Sequence, residues 1–271
     1  MHRFYIAPEN WDSRALRLRG SEAHHARNVL RMQAGDKLVL FNGVGRELTA
    51  EITATADHEI QLQKLHEAET APLRCRIVLG QAIPKGKNMD LIVQKAVEIG
   101  AAEIAPIISD RTVVQIDSET AAQKQLKWQQ IAIEAAKQCG QNWLPLVHAP
   151  RKLGEFFSAV EAGLSPAEGS RSQPARLPLQ ESATAFDLRL IGSLQPDAQH
   201  LKKILEIYSS ERGDRPRSVL MLVGPEGDFT PAELALARRH SCQPITLGPI
   251  ILRVETAAMY CLSVLSYELL I

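Results

Sequence analysis

The chain carries only four cysteines in 271 residues, Cys75, Cys139, Cys242 and Cys261. None forms a CxxC pair, and no histidine stands at zinc-ligand spacing from them. No metal site or disulfide framework is expected, only buried or half-buried thiols in a reducing compartment. Charge of one sign is not in excess either, because 31 Lys and Arg balance 31 Asp and Glu. That balance argues against a surface built to grip a polyanion everywhere, and leaves a local basic face open. No apolar run reaches the roughly 20 residues that span a bilayer. The opening MHRFYIAPEN has no basic region leading into an apolar one. A cytoplasmic protein with no membrane partner is expected. No GxGxxG follows a strand-like segment, which speaks against a Rossmann-type dehydrogenase.

The length suits two domains. At 45% apolar and 23% charged, the composition is that of a folded chain. From Met1 to about Glu69, the segments FYIA, KLVLFNG, ELTAEITAT and EIQLQKL alternate partly with period two. Asn42-Gly43 and Asp57-His58 punctuate them as turns. One helical interruption, SEAHHARNVLRM, offers Ser21 as its N-cap. Short strands with a single helix predict a small β-barrel over residues 1–72, joined at HEAETAPL to the rest.

Over residues 73–271 the rhythm alternates between strand and helix. RCRIVLGQAI, EIAPIIS, FDLRLIG, SVLMLVG and QPITLG read as strands. NMDLIVQKAVEIG reads as a helix stopped by Gly100. SETAAQKQLKWQQIAIEAAKQCG is a long helix with Leu126, Ile131, Ile133 and Ala135 among its apolar positions, stopped by Gly140. This alternation predicts an open, mostly parallel α/β sheet covered on both faces. Residues 163–185, rich in Ser, Pro and Ala, read as a flexible surface loop.

In such sheets ligands bind beyond the carboxyl ends of the strands. Three strand ends here carry glycine: Gly192, Gly224 and Gly248. Each alone needs no more explanation than a turn, but three together predict a shared pocket. In LVGPEGDFTPAEL, Thr230, Pro231 and Glu233 fit the N-cap, N1 and N3 positions of a capping box. The turn before it holds Glu226 and Asp228 rather than the Lys of a phosphate-binding loop. A neutral or cationic ligand is expected there, not a nucleoside triphosphate.

LVGPEGDFTPAEL followed by LGPIILRVETAAMYCLSVL resembles the paired signature of the RsmE family. HRFYI, HHARNVLRMQAGDKL, PKGKNMDLIVQKAVEIGAAEIAPIISDRT and WQQIAIEAAKQCGQNWLP agree with it. The resemblance implies a SPOUT-class methyltransferase that uses S-adenosylmethionine to methylate N3 of a uridine in 16S ribosomal RNA. It implies a SPOUT-type knotted parallel sheet, with a trefoil knot formed by the C-terminal segment. It also implies a PUA-like, OB-like barrel at the N-terminus and a homodimer. LGPIILR would line the cofactor site. Ala257, Ala258 and Ser263 would let the last helix pack closely, while Val264, Leu265 and Leu269 give it an apolar face.

The cofactor contacts so implied are Gly192, Val223, Gly224, Pro225, Glu226, Gly227, Leu247, Gly248, Ile251, Leu252, Arg253 and Thr256. Methyl transfer is largely alignment, but the proton on uracil N3 must leave and its charge spreads to O2 and O4. Arg253 either stabilises that charge or pairs with Glu255 or a partner-subunit carboxylate. Glu226 either takes the proton or holds the turn, and the turn is the expected role. For RNA, the N-terminal domain has more Arg and Lys than Asp and Glu. His24, Arg27, Asn28 and Arg31 fall on one helical face, with Arg3, Phe4 and Tyr5 near. Lys85 and Lys87 of PKGKN complete the expected RNA contacts.

The sequence departs from the family at Gln141, where Arg is common after Cys-Gly, and at Ile250 and Val254, where Arg and Thr are common. The His-containing motif often found near LIGSLQPDA is missing as well. These losses support one rival reading: a knotted, non-catalytic RNA-binding protein that aids ribosome assembly.

Overall fold

Apolar residues at every second position turn the first seventy residues into strands. In the computed structural model these are β1 (His2–Tyr5), β2 (Arg17–Arg19), β3 (Lys37–Phe41), β4 (Arg46–Thr55) and β5 (Glu59–Glu69). The structure describes residues 1–12, 16–56, 59–112, 116–162 and 186–270. The 163–185 loop and the Asp57-His58 turn read from the sequence lie outside the described residues. The sheet order is β1-β3-β4-β5-β2, with β1 parallel to β3 and the other pairs antiparallel. Among the described residues β1 and β2 do not pair, so hydrogen bonding does not close this sheet into the expected barrel. Phe4, Leu18, Leu38, Leu40, Leu48 and Ile60 are buried together on one side with Ala23 and Ala26.

Those two alanines belong to a short helical segment, α1 (Gly20–His24), which runs on into one π-helical turn, His25–Val29. The N-cap is Arg19, without a side-chain bond, so Ser21 sits inside the first turn instead of capping it. Leu30 N donates to His25 O at 3.0 Å, and Met32 N to Ala26 O at 3.0 Å. The chain then leaves the helix at Arg31, whose φ is +56°. His24 and Asn28 do share a face, with His24 Nδ1 and Asn28 Nδ2 2.8 Å apart. Arg31 does not continue that stripe, because the helical period ends before it.

The chain forms two compact units. Met1–Pro72 and Ile133–Leu144 belong to one; Leu73–Ala132, Pro145 and the described residues beyond it form the other. In the second unit come β6 (Arg76–Ala82), α2 (Asn88–Ile99), β7 (Glu103–Ile108) and α3 (Ser118–Cys139), whose residues from Ile133 onward count with the first unit. They are followed by β8 (Leu146–Val147), β9 (Arg151–Lys152), α4 (Leu153–Glu161), β10 (Leu188–Gly192) and β11 (Gln199–His200). Then come α5 (Leu201–Arg212), β12 (Ser218–Val223), α6 (Pro231–Arg239), β13 (Gln243–Thr246) and α7 (Val254–Leu269). The sheet order is β11-β13-β10-β12-β6-β7-β8, with β9 also on β7, and every pair is parallel.

The central strands β6 and β12 are apolar on both faces, as burial on both sides requires. Val78, Ala82, Leu220 and Leu222 meet Phe156 and Phe157 of α4 and Leu234 of α6. On the other face α7 lies against β6, β12 and α2. It buries Val254, Ala258, Cys261, Leu262, Leu265 and Leu269, whereas Ser263 is exposed. Gly100 and Gly140 end α2 and α3 with φ of +94° and +79°, the left-handed caps their sequence predicts. Within α3 the apolar reading is partly corrected. Leu126 is 71% exposed, and Trp128, Ala132, Ala135 and Ala136 are buried instead. Trp128 is held by its indole N–H, which donates to Asp90 Oδ1 at 3.0 Å.

A buried ion cluster sits at the amino end of the sheet. Glu103 accepts from Arg76 Nε at 2.6 Å and lies 2.7 Å from His148 Nε2. Burial alone would raise the Glu103 pKa. The His148 hydrogen bond and the Arg76 charge outweigh that effect and hold it at about 2, against an ordinary 4.5. A carboxylate with a depressed folded-state pKa stabilises the fold fully above its ordinary value. That stability is lost as pH falls from about 4.5 to about 2. Glu103→Gln should therefore cost about 3–4 kcal/mol at neutral pH, with the deficit shrinking toward pH 2. Denaturant unfolding of both proteins across that range measures it, and a pH-independent difference would contradict the assignment.

Candidate cofactor and active site

The carboxyl ends of β10, β12 and β13 open into one cavity of about 490 Å³, and Gly192, Gly224 and Gly248 all line it. The turns that follow these strands are tied to one another. Asp228, with φ of +64°, accepts from Phe229 N at 2.8 Å through Oδ1 and from Leu194 N at 3.4 Å through Oδ2. A Cβ on Gly224 would lie 3.2 Å from Phe229 N and 3.3 Å from Asp228 Oδ1, tighter than such contacts normally are. Gly248 has a different reason to be glycine. Its φ is +120°, and a Cβ there would meet nothing within 4 Å, so the backbone conformation demands it.

The capping box of α6 forms as its sequence predicts, and does more than cap. Glu233 N donates to Thr230 Oγ1 at 3.2 Å, and Thr230 N to Glu233 Oε2 at 2.8 Å. Glu233 is buried, and also accepts from Asp110 N at 3.0 Å and Ser109 Oγ at 3.1 Å. One carboxylate thus fastens the turn after β7 to the turn after β12. Within that joint Arg111 Nη1 donates to Gly227 O.

Of the cofactor contacts expected from the sequence, Val223, Pro225, Glu226, Leu247, Ile251, Leu252 and Arg253 line the cavity with the three glycines. Gly227 and Thr256 are not among the residues that line it. Gly227 faces outward toward Arg111, and Thr256 lies on the exposed side of α7. Glu226 is exposed, and its Oε1 accepts from Lys85 N at 2.9 Å, holding the turn after β6. Arg253 is the N-cap residue of α7; its carbonyl accepts from Ala257 N at 2.8 Å, while its exposed guanidinium has no hydrogen-bond or ion-pair partner among the described residues. Glu255 is bonded to Asn88 Nδ2 at 3.3 Å instead of to Arg253.

Asn88, Ser193, Asp228, Thr246 and Glu255 line the cavity too. Sequence reasoning passed over them as contacts because no glycine or cation marks them. The cavity wall thus combines backbone turns, aliphatic side chains, three carboxylates and one cation. That donor set fits S-adenosylmethionine, whose sulfonium and ammonium are positive and whose adenosine needs apolar walls and backbone groups.

The expected RNA contacts are scattered differently. Arg3 is engaged: Nη1 donates to Glu47 at 2.6 Å, Nη2 to Asn142 Oδ1 at 2.6 Å, and the guanidinium lies 5.0 Å over Phe41. It braces its own unit, and this corrects its place among phosphate contacts. His24, Arg27 and Arg31 are exposed, with Arg27 Nη1 also donating to Ala56 O at 3.2 Å. Lys85 and Lys87 are exposed in the turn that leads into α2.

A parallel sheet whose strand-end turns enclose such a cavity, in a chain with a separate small β unit, has the architecture of a two-domain α/β protein that binds its ligand at the strand ends. A family model described as the RNA methyltransferase domain matches residues 71–266, and one described as the RNA methyltransferase PUA domain matches residues 18–65. The chain belongs to this family of RsmE-type RNA methyltransferases. It is 30% identical to ribosomal RNA small subunit methyltransferase E of Synechocystis, over 97% of this chain and 76% of the relative. The enzyme of the same name from Bacillus subtilis is 27% identical over 92% of this chain and 88% of its own. Ribosomal RNA small subunit methyltransferase E of Neisseria gonorrhoeae, solved bound to S-adenosyl methionine, superposes with a TM-score of 0.77. It is 30% identical, covering 99% of this chain and 98% of that one.

Proposed function

We propose that the protein methylates N3 of a uridine in 16S ribosomal RNA, using S-adenosylmethionine. The observation that carries this reading is the meeting of three glycine strand ends around one cavity, with an unpaired Arg253 at its wall. When bound, S-adenosylmethionine supplies a methyl group on a positively charged sulfur. The chain's own residues do the rest. The turns at Gly192, Gly224 and Gly248 bring backbone close to the donor, and Asp228 keeps two of them in register. Arg253 presents its guanidinium to the uracil oxygens as N3 loses its proton. Glu226 anchors the turn that carries Lys85 and Lys87.

In this reading residues 1–72 are a PUA-like RNA-binding domain, and residues 73–271 are the methyltransferase domain. The trefoil knot is supported by β13, which lies beyond β10 from β12, and by α7, which returns against β6 and β12. A homodimer is supported by α7 itself, whose exposed face carries Tyr260 and Tyr267 beside Thr256 and Ser263. The direct test is incubation with S-adenosylmethionine and small subunits lacking the modification, followed by nucleoside analysis. N3-methyluridine is the expected product. An assembly factor without catalysis would bind the subunit and yield none.

RNA binding makes a second expectation. Arg27 and Arg31 each neutralise a phosphate, so the double Ala variant binds the subunit more weakly, and its salt slope falls by about 1 for each arginine removed. Cofactor affinity stays constant. An unchanged slope would return both residues to the solvated surface.

A further inference from the structure

Removing the N3 proton needs an acceptor, and three carboxylates line the cavity: Glu226, Asp228 and Glu255. Asp228 accepts through both oxygens, from Phe229 N at 2.8 Å and from Leu194 N at a longer 3.4 Å, and so ties two turns together. Glu226 is exposed, and its bond to Lys85 N makes it a strut for the turn after β6. Glu255 differs from both. It is half-buried, stands at the second position of α7, and shares the cavity wall with Arg253. Its Oε2 takes one long bond, 3.3 Å, from the Asn88 amide, which lines the same cavity. Its Oε1 has no hydrogen-bond partner among the described residues. The charged residues flanking it and Asn88 on their two helices are Arg253 and Lys87, and neither is hydrogen-bonded to it.

Asn88 is a donor that cannot neutralise Glu255, so it orients the carboxylate while leaving an oxygen to accept a proton. Resting on the reading above, we infer that Glu255 is the proton acceptor for uridine N3. Glu255 takes the N3 proton, and the electron pair left on N3 forms the new N–C bond while the C–S bond of the donor breaks onto sulfur. The products are N3-methyluridine, S-adenosylhomocysteine and a protonated Glu255. Arg253 and Glu255 then divide the work: one carries the charge on the uracil oxygens, the other the proton.

The test is Glu255→Gln, which keeps shape and the Asn88 contact while removing basicity. General-base catalysis is worth about 10²–10⁴ in rate, so single-turnover methylation should fall at least 100-fold. The comparison is made at saturating S-adenosylmethionine, and melting temperature should hold. The variant's rate should climb with pH more steeply than the parent's, as hydroxide replaces the missing base. A substrate with 5-fluorouridine at the target, whose N3 is more acidic, should restore more of the variant's rate than it adds to the parent's. Asn88→Ala, which breaks only the orienting contact, should lose less rate and keep the parent's pH profile. A Glu255→Gln protein at full rate overturns the inference. So does one whose rate loss follows its melting temperature or cofactor affinity without pH rescue, since that is a helix-to-helix strut. A parent that makes no N3-methyluridine overturns the proposed function as well; a parent that makes it, with a full-rate variant, overturns this inference alone.

Discussion

Gly248→Val no longer takes up S-adenosylmethionine at concentrations that saturate the parent. Steric crowding is not the reason, because a Cβ at this position meets no protein atom within 4 Å. The reason is the backbone, at φ of +120°, where a β-branched residue is strained by about 1–3 kcal/mol. The chain relieves that strain by rotating the turn, and the turn is small and self-contained. Thr246 Oγ1 accepts from Gly248 N at 3.3 Å and donates to Gly248 O at 3.2 Å. Once those bonds go, Leu247 and Leu252 leave their places in the cavity wall. Affinity should drop about 100-fold, the upper end of that strain. Gly192→Ala is the comparison that separates the two roles of glycine. There a Cβ meets only Leu222 O at 3.6 Å and Met221 Cε at 3.8 Å, ordinary contacts. The fold tolerates it, so any loss of affinity measures how closely the ligand itself approaches. Calorimetric titration of both variants decides the matter. Parental affinity in Gly248→Val would remove this turn from the cofactor site.

How much of this was legible in the chain depends on how local each signal is. Gly100, Gly140 and the Thr230–Glu233 box act within one turn of helix, and the structure has them where the sequence puts them. The three strand-end glycines were also legible, because each terminates an apolar run. Their convergence on one cavity follows once the strands are parallel and adjacent. The rest depends on partners distant in sequence. Nothing near Glu233 announces that Ser109 and Asp110, 124 and 123 residues away, will share its carboxylate. Asn88 and Glu255 are 167 residues apart and meet only because α2 packs on α7. The misreadings have the same origin. Leu126 is apolar at a helical position, yet α3 buries Trp128 and its alanines and leaves Leu126 in solvent. Arg31 fits the helical period, but the π turn at His25–Val29 ends the helix before it. Arg3 reads as a free cation until Glu47 and Asn142 come within 2.6 Å of it.

Arg253 carries the other large effect. It caps α7 with its backbone alone, at φ of −64° and ψ of 154°, and its guanidinium has no partner among the described residues. A cation held at a cavity wall without a counter-ion does nothing evident for the fold, so its value lies with the ligand. Negative charge appears on the uracil oxygens only as N3 is deprotonated, and the interaction therefore belongs to the transition state. Removing one such donor typically costs about 10²–10³ in rate, and Arg253→Ala should show a loss of that size in single-turnover methylation. Arg253→Lys keeps the charge but loses the planar fork, so it should recover only part of the rate. Neither should change RNA or cofactor affinity much. Raising pH should partly rescue both, because proton removal is the step they slow. A structural Arg253 behaves otherwise: melting temperature falls, or the oligomeric state changes, while the rate per folded site is preserved. Rate, melting temperature and oligomeric state measured on one preparation separate the two, and a full-rate Arg253→Ala would take this residue out of the chemistry.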